Sequence, residues 1–333
     1  MSRASLPGER AVRREPRRWN AAAAIVTLAV LIGACGAAPS TSGGQRHAAS
    51  SSSGTTGRTA ISEGPCGQPG SGRTFHHIIW IWMENESYGS VIGSPDSPYV
   101  TSLARTCGLA TNYQGISHPS LPNYLAATGG STFGVADDGD PSQHLIQAAS
   151  IYSQVEAAGL TWRAYDESMP TNCDTQGSGL YAPRHNPAVY YVPLRSACQR
   201  SDIPMGSATT GALVNDLQSG ALPSFSFITP NLCHDGHDCS VKESDTWLST
   251  MLPVIFSSAT YRAGQTAVFV TWDEGVGDNH VPMIVAAPVV RSGTTSETSF
   301  DHYSLLRTTE DLLGLPPLGH AADAPSMAAA FGL

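Results

Sequence analysis

The chain has 333 residues, with 18 Lys+Arg against 27 Asp+Glu and a formal net charge of −9, enough for one large domain or two small ones. Residues 1–34 hold six of the basic and two of the acidic residues, so the remainder carries 12 and 25, a net of −13. No basic patch is left to hold a phosphate backbone, which excludes nucleic acid as a partner but not a small phosphate ester bound through a metal. In chain order, an arginine-rich start is followed by an apolar run from Ala21 to Ala34 that is too short for a membrane span. It ends in Leu31-Ile32-Gly33-Ala34-Cys35, and small residues leading into a cysteine resemble the lipobox of bacterial lipoproteins. Residues 1–34 therefore read as a lipoprotein-type signal peptide of an exported protein, cell-surface or secreted, with Cys35 as its lipid anchor to the membrane. A plain signal peptide cut near Ala37 or Ala38 is the alternative. Residues 35–64 are Ser/Gly/Thr/Ala with almost nothing to bury and read as a flexible tether. Residues 65–333 contain no repeat and no second linker, and read as one catalytic domain.

Within that domain, His77–Met83 is a continuous apolar run, the pattern of a central parallel strand covered on both faces. Ser97-Pro98 opens a helix reaching Cys107, with Gly108 as its stop. Pro122 suits the first turn of a helix whose apolar positions are Leu121, Leu125 and Ala126 and whose end is Gly129-Gly130. A helix over 151–158 and strands over 161–165 and 224–228 follow. Asp245 reads as the cap of a helix through Phe256, despite Pro253. Strands over 266–272 and 281–288 and a closing helix over 303–313 complete the pattern. Strands alternating with helices give an α/β fold with a mostly parallel central sheet flanked by helices.

Ligands of such sheets sit beyond the carboxyl ends of the strands. Polar clusters follow three of the expected strands: Glu84-Asn85, Asn231 to Asp238, and Asp273-Glu274. Glu84, Asp273 and Glu274 at one sheet edge need a cation or raised pKa values, and a divalent metal ion resolves the conflict. Ser120, between Pro119 and Pro122, sits where a helix N-terminus favours an anion or an alkoxide. It reads either as a nucleophile or as a plain N-cap. Asp235 and His237, in a loop bracketed by Cys233 and Cys239, offer a second metal position or a general acid, together with His302. Arg184-His185 is a pair able to bind a phosphate group. His234 has no assigned role, His76 and His77 read as structural, and His280 as solvent-exposed. Besides Cys35 there are six cysteines, which in an exported protein form three disulfides. Neighbours in sequence suggest 66–107, 173–198 and 233–239.

Five motifs in order are Met-Glu-Asn at 83–85, Ser-His-Pro-Ser-Leu-Pro-Asn-Tyr-Leu at 117–125, Thr-Pro-Asn with Asp-Gly-His-Asp at 229–238, Val-Thr-Trp-Asp-Glu at 270–274, and His-Tyr-Ser-Leu-Leu-Arg-Thr at 302–308. Residues 75–320 thereby resemble the bacterial phosphoesterases of the alkaline phosphatase superfamily, a family of secreted acid phosphatases and phospholipases C. The resemblance implies an alkaline-phosphatase-like fold and a phosphoserine at Ser120. It implies a metal held by Glu84, Asn85, Asp273 and Glu274, and an amide at Asn123 that steadies the phosphoryl oxygens. His118, Asp235, His237 and His302 would act as second-metal ligands or proton donors. The superfamily's usual Asp-His after the last strand is Asp273-Glu274 here. The family's phospholipases C are longer, which favours a phosphatase acting on small phosphate esters or lipid phosphates over a phosphodiesterase.

Overall fold

The computed structural model describes residues 64–68 and 74–333. The leader over 1–34, Cys35 and all but the last residue of the tether lie outside them. The strands are β1 (His77–Met83), β2 (Gly108–Ala110), β3 (Tyr113–Gln114), β4 (Trp162–Asp166), β5 (Asp202–Pro204), β6 (Phe225–Thr229), β7 (Thr266–Trp272), β8 (Met283–Ala286), β9 (Thr294–Ser296) and β10 (Phe300–Asp301). Eight of them form one sheet in the order β5-β4-β6-β1-β7-β8-β2-β9, and β10 pairs with β3. All neighbours in the large sheet run parallel except at β8, which is antiparallel to both β7 and β2.

The apolar runs sit where continuous hydrophobicity requires, in the centre of the sheet. β1 is buried from Ile78 onward and β7 throughout. Alternation turns Trp80 and Trp82 to one face of the sheet. There Trp80 donates to Thr309 Oγ1 at 3.0 Å, and the Trp82 ring lies 4.8 Å from Tyr124 and 4.7 Å from His302. That face is covered by the helices Ser120–Gly129, Ile151–Ala157 and His302–Leu313. A second group of mutually packed helices comprises Pro98–Thr106, Ala212–Ser219, Val241–Ser257 and Ala259–Arg262. Among the described residues no helix is long and apolar enough to cross a membrane. All three disulfides suggested by sequence order, Cys66–Cys107, Cys173–Cys198 and Cys233–Cys239, are formed.

Several boundaries differ from the sequence reading. Gly108 does not stop a helix in the left-handed conformation; the helix ends at Thr106 and Gly108 opens β2. The strand expected over 281–288 is the shorter, antiparallel β8. Asp245 lies inside the helix Val241–Ser257 and caps a different one. Its carboxylate accepts from Tyr99 N and Val100 N at 3.2 and 2.8 Å, the first turn of Pro98–Thr106. The closing helix begins one residue early, at His302, with a reciprocal capping box between Asp301 and Ser304.

Candidate active site

Parallel pairing of β1 with β7 in the register Met83↔Trp272 makes Glu84 and Asp273 the next residues on adjacent strands. Both are fully buried at the carboxyl edge of the sheet. Asn85 then takes a left-handed conformation (φ 58°), sparsely populated for a side-chain-bearing residue and characteristic of functional turns. Its N–H donates to Asp273 Oδ1 at 3.1 Å, so the two strand ends are tied together. The loop 231–239 closes the same edge. Glu84 N donates to Asp235 O at 2.8 Å. Gly236 (φ 105°) passes so close that an added Cβ would meet Glu84 O at 3.0 Å.

Ser120 is the first residue of its helix, and the cap position belongs to Pro119, which makes no side-chain cap bond. The serine hydroxyl is therefore free of capping and donates instead to Glu84 Oε2 at 3.0 Å. One turn on, Tyr124 donates its hydroxyl to Glu84 Oε1. Helical i, i+4 spacing puts both donors on one face, a signal present in the sequence but not used there. Asn123 is committed to the loop before the helix. Its Oδ1 accepts from Ile116 N and Ser117 N at 2.8 and 2.9 Å, and its Nδ2 donates to Ser117 O at 3.0 Å and reaches Glu274 Oε2 at 3.4 Å. It holds the serine loop in shape and is not a free amide waiting for a phosphoryl oxygen.

The two histidines of the sequence reading exchange places. His185, expected in a substrate-binding loop, is only 2% exposed and stacks on Tyr124. Its Nε2 and Nδ1 lie 3.3 Å from Glu84 Oε1 and from Asp235 Oδ2. His237, expected beside the metal, is part-exposed and bonded to Asp238 Oδ1 at 2.7 Å and to Arg184 Nη2 at 3.0 Å. His302 leaves the reacting centre altogether. Fully buried, it holds Asp273 O at 2.6 Å and Tyr113 OH at 2.9 Å, and burial pushes its pKa down to about 4, so it positions the Asp273 backbone from behind. His118 is half-exposed, with Nδ1 3.0 Å from Glu274 Oε2. His280, expected in solvent, stacks on Tyr88 and contacts Thr111 O at 3.0 Å. The sequence also gave no signal for Asp138, in an acidic turn, whose Oδ1 accepts from Leu121 N at 2.9 Å beside the serine.

Burial and then the neighbouring Asp273 and Asp235 push Glu84 well above the carboxylate range. Burial and then Glu274 do the same to Asp273, and burial raises Asp235 to about 7. Burial, aided by Arg184 and His237, drives His185 well below the usual imidazole value. Burial, reinforced at Glu84 and Asp273 by acidic neighbours, thus favours the neutral form of each of these groups. Asp273 Oδ2, Asp235 Oδ2 and His185 Nε2 are buried without any hydrogen-bond partner; the 3.3 Å approaches of His185 Nε2 to Glu84 Oε1 and of Asp235 Oδ2 to His185 Nδ1 lack hydrogen-bond geometry. Native proteins rarely leave such atoms unsatisfied, and hard oxygen donors with one imidazole are what a divalent cation takes. The donor set fits a metal. Among the described residues the tightest trio of metal-type donors is instead Cys173, Cys198 and Asp202, but its sulfurs are joined in a disulfide. Glu84, Asp235 and Asp273 face one another more loosely.

Residues 94–316 match the model of the Phosphoesterase family. The chain belongs to that family. It is 33% identical to the phosphatidylinositol-3-phosphatase of Mycobacterium tuberculosis over 78% of this chain and 84% of that one. It is 30% identical to the phosphate-repressible acid phosphatase of Penicillium chrysogenum over 74% of this chain but only 61% of that longer enzyme. Among solved structures it resembles an alkaline phosphatase superfamily protein from Vibrio parahaemolyticus, at TM-score 0.53 and 12% identity over 79% of this chain and 74% of that one. The lipoteichoic acid synthase of Listeria monocytogenes matches with TM-score 0.53 at 10% identity over 72% of each chain. The fold is that of the alkaline phosphatase superfamily, and this phosphoesterase is a phosphoric ester hydrolase.

Proposed function

We propose that this phosphoesterase hydrolyses phosphate monoesters through a phosphoserine at Ser120, assisted by a divalent metal ion. The observation that carries the reading is the uncapped Ser120 hydroxyl 3.0 Å from a buried carboxylate, Glu84, within a cluster of buried acidic groups whose Asp273 Oδ2 and Asp235 Oδ2 have no hydrogen-bond partner. Glu84, Asn85, Asp273 and Glu274 are the proposed metal residues, joined by Asp235 and His185. A cation there would supply the missing positive charge, keep Glu84 ionised and polarise the phosphoryl group. Ser120 Oγ attacks phosphorus in line, its proton passes to Glu84 Oε2, and the P–O bond to the leaving group breaks. His118, oriented by Glu274, protonates the departing alkoxide. Water then attacks the phosphoserine, giving its proton to His118, while Ser120 Oγ recovers the proton from Glu84. The products are alcohol and inorganic phosphate. Arg184 and His237 hold the phosphate at the mouth.

Relatives named as an acid phosphatase and as a phosphatidylinositol-3-phosphatase support monoesters, soluble or lipid-borne, over the diesters of a phospholipase C. Three disulfides support export to an oxidising compartment, in keeping with the proposed leader and the lipid anchor at Cys35. Labelled palmitate incorporated by wild type and lost in Cys35→Ser would support the anchor; label retained in that variant would refute it. For the chemistry, turnover of p-nitrophenyl phosphate should fall by at least about 10³-fold in Ser120→Ala and by about 10²-fold in His118→Ala. Ser120→Ala protein that still turns over its substrate would rule out the phosphoserine.

A further inference from the structure

Asp138 stands on the two groups best suited to bind a phosphoryl oxygen. Its Oδ1 accepts the N–H of Leu121 at 2.9 Å, the amide next to Ser120 in the first turn of the helix. Its Oδ2 lies 4.0 Å from Arg184 Nε, a buried donor with no hydrogen-bond partner. Asp138 is also among the charges that act on Glu274 and His185. Helix-start amides and guanidinium groups are the usual holders of phosphate, and a carboxylate that holds the amide and stands 4.0 Å from the guanidinium must repel an arriving phosphate dianion.

We propose that Asp138 is a built-in anion that occupies the phosphoryl-oxygen position beside Ser120 and is displaced by substrate, setting how weakly the enzyme holds substrate and product. On binding, the Leu121 amide exchanges a carboxylate oxygen for a phosphoryl oxygen, and the unpartnered Arg184 Nε takes the phosphate in place of the 4.0 Å approach of Asp138. On departure of inorganic phosphate Asp138 returns, which favours product release. The inference rests on the phosphatase reading and deepens it.

Asp138→Asn tests it, because asparagine keeps an acceptor for the Leu121 amide but removes the charge. Inorganic phosphate is titrated into the purified, unchelated protein by calorimetry, and KM is measured on p-nitrophenyl phosphate. Phosphate affinity should rise, and KM fall, by about fivefold, the scale of one charge removed from a helix start. In an Arg184→Ala background the same change should give a smaller gain. Unchanged affinity would mean that Asp138 merely caps the helix, and weaker binding would make it part of the binding machinery; either result overturns the proposal, as does a full gain without Arg184. Calorimetry needs no turnover. Wild-type protein that hydrolyses no ester therefore counts against the phosphatase reading, while the phosphate affinities still decide the role of Asp138.

Discussion

Both oxygens of Glu84 are held from a single helix, Oε2 by Ser120 and Oε1 by Tyr124. Tyr124→Phe removes one donor and leaves a buried carboxylate oxygen short of a partner, a loss of about 1–3 kcal/mol. A drop in kcat of about tenfold with KM little changed is expected, since a misplaced Glu84 misplaces the serine. Equal damage to kcat and KM would speak against it. Asp245 is a residue-scale case of a different kind. Asp245→Ala removes two acceptors from the first turn of Pro98–Thr106 and should lower stability by about 1–2 kcal/mol in denaturant titration, with activity intact. Local sequence marked Asp245 as the cap of the helix through Phe256. It could not show which helix it caps, because that depends on packing between residues 146 positions apart. The exchange of His185 and His237 has the same origin: chain position near a polar loop says nothing of which ring is buried against Tyr124.

At the scale of elements, the site exists because the β1–β7 register sets Glu84 beside Asp273. A one-residue slip would send each side chain to the opposite face. This much was legible, since two largely apolar runs each ending in carboxylates read as buried strands whose ends meet at one sheet edge. The antiparallel β8 and the short edge strands were not, because three- or four-residue segments carry too little pattern and take their direction from neighbours. The 231–239 loop depends on the Cys233–Cys239 disulfide, which closes a span of only six residues. Replacing both cysteines by alanine should lower stability by only about 2 kcal/mol. Turnover should fall by more than that stability loss explains, because Asp235 and His237 lose their anchorage. Retained kcat with unaltered KM would separate the loop from catalysis.

For the whole molecule, buried carboxyls set the pH dependence of stability. Burial raises Asp202 to about 7 and Glu310 to about 8, against about 4 in the unfolded chain. The folded protein then keeps protons that the unfolded chain has released. The contribution is fully present below about pH 4 and is lost as pH rises through 7 to 8. His302 has the opposite sign, its contribution complete above about 6.5 and lost as pH falls toward about 4. Between about pH 6.5 and 8 the carboxyls act unopposed by His302, so the melting temperature should fall across that window. Glu310→Gln should flatten the fall; a rise in melting temperature over the same range in wild type would contradict this account.

The central claim is a metal-assisted serine phosphatase, and it is tested most directly by p-nitrophenyl phosphate hydrolysis set against bis-p-nitrophenyl phosphate, with and without EDTA, for residues 65–333 and for Ser120→Ala within the same span. Monoester turnover lost on chelation and lost again in Ser120→Ala is the predicted result, with the diester the poorer substrate. A preference for the diester would move the chain to the phospholipase C side of its family. Activity that survives both EDTA and Ser120→Ala would contradict the mechanism.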